Sequence, residues 1–254
     1  AVGRLTGSDS GVGRLPEPEQ IVQVALAIAG PKDLVGFNFV ITAGGTQEPI
    51  DPVRFLGNKS SGKQGLAIAR AAYARGANVR LIAANLDSLE AFDVVKVSTS
   101  LDMAEALAEV NSSTDCLVMA AAIGDFRSEK VSTEKIKKTP TTDSLTLNLV
   151  RTPDLLAETT SRLKNESADT IVVGFAAETT NDDDSLRQVA FEKLQRKGCD
   201  LLVANNVSDG RVFGLDETQV LFVSKDQRVE EIAGSKTAIA NSLLSQVAEL
   251  LRNR

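Results

Sequence analysis

The 254-residue sequence contains no histidine. This absence excludes a Ser-His-Asp triad, a histidine general base and a histidine-rich zinc site. The two cysteines, Cys116 and Cys199, are far apart and neither belongs to a Cys-x-x-Cys pair. A disulfide scaffold and a structural zinc knot are therefore not expected. We expect two buried thiols in a reducing compartment, and hence a cytoplasmic protein.

Long apolar runs and an excess of positive charge are also missing. No apolar stretch approaches the roughly 20 residues that a membrane helix needs, and no signal peptide is recognisable. The 28 basic and 34 acidic side chains leave a net charge of -6, which argues against general attraction to nucleic-acid phosphates. We expect neither a membrane nor a nucleic-acid partner. The apolar share of 43% is nevertheless enough for a sizeable core.

Predicted strands and helices alternate along most of the chain. Buried-strand patterns begin at Phe37 and alternate with helical patterns such as residues 62–75 and 184–197. This order predicts an α/β fold: a doubly wound, Rossmann-like and mostly parallel sheet covered on both faces. A helix is predicted to begin at Pro153 and a terminal hairpin at residues 219–231. The polar segment 126–150 interrupts the alternation and is expected to leave the sheet.

The strongest functional signal lies in residues 41–65, where a strand leads into a glycine pair and a loop then enters a helix. Gly44 and Gly45 allow close approach of the backbone to a phosphate. Ser60, Ser61 and Gly62 stand at the helix start, where free N–H groups and the positive dipole end favour an anion. The segment predicts a phosphate loop, although the serines could act only as helix caps.

Two familiar phosphate motifs do not fit this segment. The run GNKSSGKQ nearly matches a P-loop, but Gln64 occupies the position of the magnesium-binding hydroxyl, so a Walker-type NTPase is rejected. A nicotinamide-dependent reductase stays open as an alternative on the same fold. However, the only tyrosine, Tyr73, lacks the lysine four residues later that short-chain dehydrogenases use.

A second cluster follows the next buried strand. Small residues such as Ala120 and Ala121 would admit a flat base, and Asp125 could bind magnesium through water near a phosphate chain. The run KIKK, which begins at Lys135, offers positive charge to a transferring phosphate. Further along, Lys193 and Lys197 share one helix face. Each feature alone could equally be a solvated surface.

Taken together, these segments resemble the phosphopantothenoylcysteine synthetase family of coenzyme A biosynthesis. The resemblance rests on TAGGTQEPIDPVRFLGNKSSGKQG, MAAAIGDFR followed by EKIKK, TPDLL, VGFAAET, and ANNVS with FGLDETQV downstream. It implies a phosphopantothenate–cysteine ligase. In that family, the carboxylate of 4′-phosphopantothenate attacks the α-phosphate of CTP to give an acyl-cytidylate. L-cysteine then displaces CMP to form the amide.

The resemblance also assigns residues by position. Asn58 matches the asparagine that holds the substrate and the acyl-cytidylate, and Lys135 matches the lysine that activates the α-phosphate. The CTP contacts are Met119, Ala120, Ala121, Asp125, Lys135, Pro153, Asp154, Leu155, Leu156, Phe175, Lys193 and Lys197. Asp125 would also approach Mg²⁺, indirectly.

The family implies partners as well. It forms a homodimer through a strap that corresponds here to about residues 128–148, and larger assemblies form through an upstream decarboxylase. Residues 1–35 resemble the tail of that flavin-dependent domain with a linker, and residues 36–254 the ligase domain. FMN is expected only if the full decarboxylase is present. The competing hypothesis is a non-catalytic nucleotide-binding sensor on the same fold.

Overall fold

The computed structural model describes residues 2–4, 10–12, 15–87, 90–137, 144–166, 169–180, 182–208 and 217–254. Strands and helices alternate along the chain, as the sequence predicts. The elements in chain order are β1 Val2–Arg4, β2 Ser10–Val12, α1 Pro18–Ala29, β3 Asn38–Gly44, β4 Gln47–Pro49, β5 Phe55–Gly57, α2 Lys63–Ala74, β6 Asn78–Ala84, β7 Asp93–Val97, α3 Ser100–Ala108, β8 Cys116–Met119, β9 Phe126–Ser128, β10 Leu149–Arg151, α4 Leu155–Glu166, β11 Ile171–Glu178, α5 Asp183–Lys197, β12 Leu201–Asn206, β13 Glu217–Ser224, β14 Val229–Ser235 and α6 Lys236–Arg252.

An eight-stranded sheet forms the centre of the fold, in the order β14-β13-β12-β11-β8-β3-β6-β7. The six strands from β12 to β7 run parallel, and β13 and β14 add an antiparallel edge. From β3 the chain winds outward through β6 and β7, then returns to β8 and winds the other way. This places a topological switch point between β3 and β8, and the predicted doubly wound sheet is confirmed.

Helices cover both faces of this sheet. On one face, α2 and α6 bury residues such as Ile68 and Leu243. On the other face, α3, α4 and α5 bury residues such as Met103, Leu163 and Leu194. Coverage of both faces explains why β8 is buried at every position, without the alternation of a half-exposed strand.

The polar segment after β8 leaves the sheet as predicted. Its ends pair as the antiparallel strands β9 and β10, outside the eight-stranded sheet. A second small hairpin, β4 with β5, lies in what the sequence shows only as a long loop. The strands of both hairpins have three residues each, and a strand of that length is too short for a periodic pattern to reveal it.

The bounds of two predicted elements differ from the structure. Helix α4 begins at Leu155 and not at Pro153, because Asp154 accepts a hydrogen bond from the N–H of Ala157 at 3.2 Å and so acts as the helix cap. The terminal hairpin, predicted at residues 219–231, extends from Glu217 to Ser235, and Gln227 lies in its turn with a positive φ of 64°.

The predicted burial of the thiols is confirmed. Cys116 and Cys199 are both free and fully enclosed in the core. Burial raises the pKa of Cys199 to about 11, and it raises that of Cys116 further still. Both side chains are therefore neutral and unreactive at physiological pH. No helix in the described part of the chain is long and apolar enough to cross a membrane.

We expect Gly65→Ala to destabilise the protein, although alanine is the better helix former by about 1 kcal/mol. A Cβ at this position would come within 2.7 Å of the Cβ of Ala43 and 2.8 Å of the carbonyl oxygen of Thr42. Overpacking of this kind costs about 1–3 kcal/mol. Urea denaturation measures the change.

The pair of variants Ala43→Gly and Ala43→Gly/Gly65→Ala provides the control. Since Ala43 contributes the nearest atom, Gly65→Ala should cost less in the Ala43→Gly background. A gain in stability from Gly65→Ala alone would contradict close packing of α2 on β3.

Candidate functional site

A cavity of about 210 Å³ opens at the carboxyl edge of the sheet, next to the switch point. Its walls come from the loop before α2, the ends of β11 and β12, the residues after β8, and the first turn of α6. It brings together six residues that the sequence assigned to one site: Ser60, Ser61, Gly62, Ala120, Ala121 and Phe175. This position is where doubly wound folds bind ligands.

Hydrogen bonds between the loops shape one wall of the cavity. The hydroxyl of Ser60 donates to the carbonyl of Gly44 at 3.0 Å and accepts from the N–H of Gly62 at 3.3 Å. Gly44 has a φ of 89°, and a Cβ there would come within 1.9 Å of the carbonyl oxygen of Ala84. Gly44 is therefore required for the approach of β3 to β6, and Gly45 follows it with a bridge to Ala122.

Helix α2 begins at the cavity without a side-chain cap. Its N-cap is Gly62, which adopts a left-handed conformation with a φ of 67°. No acidic residue occupies the first turn. The positive end of the helix dipole is thus not compensated by a side chain of that turn, and it adjoins a cavity large enough for part of a ligand.

Asn58 joins the two loops beside the switch point. Its side-chain amide donates to the carbonyl of Ile123 at 3.0 Å, and the residue is otherwise exposed. Asn58 does not line the cavity itself, but its neighbours Lys59 and Ser60 do. The side chain therefore stands next to the cavity, within the loop that forms its wall.

The described residues of the KIKK run, Lys135 to Lys137, form a segment that we call the lysine segment. The β4–β5 hairpin holds this segment in place. Ile136 donates its N–H to Asp51 Oδ2 at 3.1 Å and accepts from Arg54 Nη2 at 2.8 Å. Asp51 and Arg54 also form an ion pair. Together these contacts fix the backbone beside Lys135, whose own side chain is exposed. Lys138, the last lysine of the KIKK run, lies outside the described residues.

We call the hydrogen bonds of Asp51 and Arg54 with Ile136 the clamp. The clamp attaches the lysine segment to the hairpin that leads to Asn58. Asp51 and Arg54 stand at the hairpin tip, and Asn58 directly follows its base. A strand of three residues spans about 10 Å. The sequence separates Asn58 from Lys135 by more than 70 positions, yet the fold attaches both to one hairpin.

Several residues assigned by resemblance lie wholly or partly in the core. Met119 and Leu155 are each 4% exposed and belong to the core beneath the sheet. Leu156 packs against the same core. Any contact from Met119 or Leu155 would have to come from the backbone. Pro153 and Asp154, just before α4, are exposed.

Lys193 and Lys197 are both occupied by carboxylates. Lys193 Nζ lies 2.6 Å from Glu178 Oε1, and Lys197 pairs with Asp154. Burial opposes ionisation of Asp154, but the Lys197 ammonium outweighs it and lowers the pKa of Asp154. Neither lysine lines the cavity. A phosphate that approached either lysine would compete with its carboxylate partner or share the ammonium group with it.

Asp125 is the candidate magnesium ligand. It is exposed after β8, and its backbone carbonyl accepts from the N–H of Thr152 at 3.0 Å. Within the described ranges, no group of three or more Asp, Glu, Cys or His side chains could hold a metal. A single carboxylate fits Mg²⁺ when substrate phosphates and water supply the other ligands.

Helix α6 contributes to the cavity in a way that the sequence does not reveal. Lys236, at the start of this helix, lines the cavity together with Lys63 and Gln64 from α2. Gln64 Nε2 donates to the backbone carbonyl of Lys236 at 3.3 Å and joins the two helices. The two residues are more than 170 positions apart, and no pattern in the sequence links them.

We expect Asp51→Ala to release the lysine segment. Loss of the carboxylate removes the acceptor of the Ile136 N–H, so exchange of that amide should accelerate roughly two- to tenfold, as for one hydrogen bond. Amide hydrogen exchange measures this. Asp87→Ala is the control, because Asp87 is fully exposed and its ion pair among the described residues is a surface contact with Lys96.

The pH dependence of the clamp follows from Arg54, whose hydrogen bonds hold the pKa of Asp51 well below its usual range. A lowered folded pKa means that the stabilisation is present above the unfolded pKa of about 4 and is lost as the pH falls toward the folded value. Once corrected for intrinsic exchange, protection of Ile136 should be equal at pH 7 and pH 5. A fall in protection between these values would contradict the ion pair.

Comparison with known proteins identifies the family of this chain. Residues 34–251 match the family described as DNA/pantothenate metabolism flavoprotein C-terminal domain. The coenzyme A biosynthesis bifunctional protein CoaBC of Mycobacterium bovis is 44% identical over 99% of this chain, which spans only 62% of that relative. The crystal structure of a CoaBC C-terminal domain superposes with a TM-score of 0.71 at 31% identity and covers 88% of this chain and all of that one.

A more distant structure extends the fold comparison. A Cab2 variant in complex with phosphopantothenate-cysteine has a TM-score of 0.67 at 18% identity, and the match covers 94% of this chain and 96% of that one. The matched family span includes the cavity and the lysine segment. The resemblance seen in the sequence motifs is therefore confirmed, and the chain belongs to the family of DNA/pantothenate metabolism flavoprotein C-terminal domains.

Proposed function

We propose that this protein is a phosphopantothenate–cysteine ligase. It would convert 4′-phosphopantothenate, CTP and L-cysteine into 4′-phosphopantothenoyl-L-cysteine, CMP and pyrophosphate. The observation that carries the proposal is the cavity at the switch point, with the Ser60–Gly62 loop on its wall and the Lys135 segment clamped nearby. The kinship with coenzyme A biosynthesis proteins supports it.

The chemistry suits a chain without histidine. In the first step, a carboxylate oxygen of 4′-phosphopantothenate forms a bond to the α-phosphorus of CTP, and pyrophosphate leaves. The nucleophile is already ionised at neutral pH and needs no general base. Rate enhancement then depends on positioning and on neutralising negative charge. Lys135 would supply that charge at the α-phosphate.

In the second step, the amine of L-cysteine attacks the acyl carbon, CMP leaves, and the amine loses a proton to solvent. Asn58 would hold the acyl group through this exchange. Its amide has a second N–H besides the one bonded to Ile123, and a carbonyl oxygen. Ala120, Ala121 and Phe175 would form the wall against which the base lies. Such a wall accepts a flat ring but does not discriminate between one base and another.

Magnesium would be held by Asp125 through water and by the triphosphate. The ion supplies charge neutralisation on the phosphates, as in other nucleotidyl transfers. The exposed Asp125 side chain needs no rearrangement of the core to serve this purpose. CTP as the nucleotide rests on the family resemblance, because small residues and backbone groups distinguish bases only weakly.

The nucleotide sensor is the second candidate on the same fold. It is favoured only by the exposure of Lys135 and Asn58, which a resting enzyme shares. A sensor would bind CTP without releasing pyrophosphate when both other substrates are present. The nicotinamide-dependent reductase would change NAD(P)H fluorescence on mixing, which is a simple assay.

We expect pyrophosphate release from CTP, Mg²⁺ and 4′-phosphopantothenate alone, and amide formation once L-cysteine is added. Lys135→Gln should slow pyrophosphate release by roughly two orders of magnitude, about 3 kcal/mol, because it removes a charge directed at the transition state. Rapid-quench analysis of labelled CTP measures the first step. Lys130→Gln is the control, since Lys130 lies in the same segment before the clamp. Equal rates for wild type and Lys135→Gln would remove Lys135 from the mechanism.

We also propose that the protein forms a homodimer through two of its small hairpins, β4–β5 and β9–β10. Large apolar side chains are exposed on and around β4–β5 and β9–β10: Val53 60%, Phe55 52%, Phe126 49%, Val131 49% and Leu149 44%. Such a concentration of exposed apolar side chains, on the polar segment 126–150 and on the β4–β5 hairpin, is unusual for a surface that faces water. It is typical of a contact between two copies of a chain.

Val53→Asp should weaken this dimer, because a charge would be buried at the contact. Analytical ultracentrifugation across a range of concentrations should show a shift toward monomer of at least tenfold in Kd. Leu101→Asp on α3 is the matched control, with an exposed leucine of similar accessibility at 49%. A shift in both variants, or in neither, would contradict the hairpin interface.

Residues 1–35 would form the tail of an upstream flavin-dependent decarboxylase and a linker. Helix α1 exposes Val22, Leu26 and Ile28 at 56%, 56% and 75%, which is consistent with a helix made to contact further protein. FMN and any assembly larger than a dimer would belong to that upstream domain. The two free buried thiols are consistent with a cytoplasmic location.

A further inference from the structure

Glu48 is a buried carboxylate that the proposed mechanism does not use. It lies on β4, within the motif TAGGTQEPIDP, and is only 1% exposed. Acidic side chains are almost never buried so completely unless a partner compensates them. Among the described residues, both partners come from Ser100: Oε1 accepts from the Ser100 N–H at 2.8 Å, and Oε2 accepts from the Ser100 hydroxyl at 3.1 Å. The carboxylate is therefore held at both oxygens by a residue 52 positions away.

Ser100 begins helix α3, and this helix start is a firm anchor. Ser100 is fully buried, and α3 packs its apolar face into the core behind it. A carboxylate at a helix N-terminus is stabilised by the positive end of the dipole. The helix does not need Glu48 as its cap, because Thr99 and Asp102 already form a capping box. The bonds between Glu48 and Ser100 therefore serve to fasten β4 to the helix.

The backbone that carries Asn58 is registered against this fastened strand. Gln47 adds a second bond to the helix start, since its N–H donates to the carbonyl of Ser98 at 2.9 Å. In the β4–β5 hairpin, Gln47 lies opposite Gly57, and Asn58 follows directly. The position of Asn58 thus depends on the two neighbouring residues of β4, Gln47 and Glu48, that the start of α3 holds.

The hydrogen-bond acceptor of Asn58 is held by the same stretch of chain. The side-chain amide of Asn58 donates to the carbonyl of Ile123 at 3.0 Å. The hydroxyl of Thr46 accepts from the N–H of Gly124, the next residue after Ile123, at 2.8 Å. Gly124 also lies so close to Glu48 that a Cβ there would come within 3.3 Å of Glu48 Cγ. Glu48 therefore supports both the donor and the acceptor of the Asn58–Ile123 hydrogen bond.

We propose that Glu48 is a positioning residue that acts through Asn58. Its role is to fix the two chain segments that meet at the Asn58 amide and so direct this side chain at the acyl group. Displacement of a reacting or holding group by about 1 Å can cost a factor of roughly 100 in rate. The catalytic consequence rests on the proposed ligase function, whereas control of the Asn58 side chain by Glu48 does not.

Glu48→Ala tests the proposal kinetically. Amide formation from 4′-phosphopantothenate, CTP and L-cysteine is measured per folded molecule, with the folded fraction taken from circular dichroism. We expect Glu48→Ala to lower kcat about tenfold. The conservative variant Glu48→Gln should recover most of the rate, because its amide oxygen still accepts from the Ser100 N–H and its NH₂ group can donate to the Ser100 hydroxyl.

Glu90→Ala is the matched control. The Glu90 side chain is also fully buried, but it pairs with Arg70, and neither residue lines the cavity. Its loss should destabilise the protein and leave kcat per folded molecule at the wild-type value. A fall in kcat as large as that of Glu48→Ala would show a general effect of losing a buried glutamate and would overturn the proposal.

A double-mutant cycle distinguishes action through Asn58 from an independent effect. In an Asn58→Ala background, Glu48→Ala should change kcat by less than about twofold, because the side chain that Glu48 positions is already absent. Losses that multiply would contradict the proposal. If Glu48→Ala does not fold, Ser100→Ala replaces it in the cycle. This variant removes the hydroxyl donor and keeps the N–H, so a loss of about threefold is expected.

The side-chain amide of Asn58 reports its own position without any turnover. In ¹⁵N-labelled protein, its NH₂ signals are identified by their loss in Asn58→Ala. We expect them to differ from those of a solvated asparagine and to move to the solvated values in Glu48→Ala but not in Glu90→Ala. Unmoved signals in Glu48→Ala would overturn the proposal. This measurement decides the matter if Asn58→Ala turns over too slowly for the kinetic cycle.

The two readouts separate this proposal from the ligase function. If the wild-type protein makes no amide product, the ligase proposal fails, and the Asn58 signals still test the role of Glu48. If amide forms and Glu48→Ala keeps the full kcat, the positioning role fails and the ligase function stands.

Discussion

Coverage of both sheet faces is the constraint on which the rest of this structure depends. Parallel strands require crossover helices, and these helices bury most of both faces of the central strands. The strand ends at the carboxyl edge stay accessible. At the switch point between β3 and β8 the crossovers diverge to opposite faces and leave a gap at the carboxyl edge. The cavity, the Ser60 loop and the residues after β8 all lie at this gap.

The gap must also be stabilised locally, since loops without partners would be mobile. Here each loop is bonded to another. Ser60 bonds to Gly44, Asn58 to Ile123, and Thr46 accepts from the N–H of Gly124 at 2.8 Å. The Asp51–Arg54 pair extends this network to the lysine segment. Preorganisation of this kind matters most for a reaction that depends on position and charge and has no acid–base residue to assist it.

Local patterns in the sequence were sufficient for the fold. The central strands stand out as short buried apolar runs between helical patterns, and Gly44 with Ser60–Gly62 marks by composition the loop that we propose binds phosphate. What the sequence could not show were contacts between distant, irregular segments. The clamp on Ile136 depends on a hairpin tip more than 80 residues away. The approach of α6 to α2 depends on how two helices settle on one sheet face, and a lysine at a helix start has no distinctive pattern.

The ionic pairing of the lysines shows the same limit. From spacing alone, Lys193 and Lys197 occupy one helix face, and that face could equally meet phosphate or carboxylate. The structure pairs them with Glu178, the last residue of β11, and with Asp154, the cap of α4. Glu178 is largely buried, so a phosphate that drew Lys193 away would leave a desolvated carboxylate, whereas Asp154 is half exposed and water could solvate it.

Gln64 connects the sequence argument with the structural one. At the position where a P-loop would have a hydroxyl for magnesium, this chain has an amide, and the amide is already committed to the backbone of Lys236. The substitution that excludes a Walker-type site thus joins α2 to α6 and adds a second helix terminus to the cavity. An anion in this cavity would therefore meet the starts of two helices instead of one.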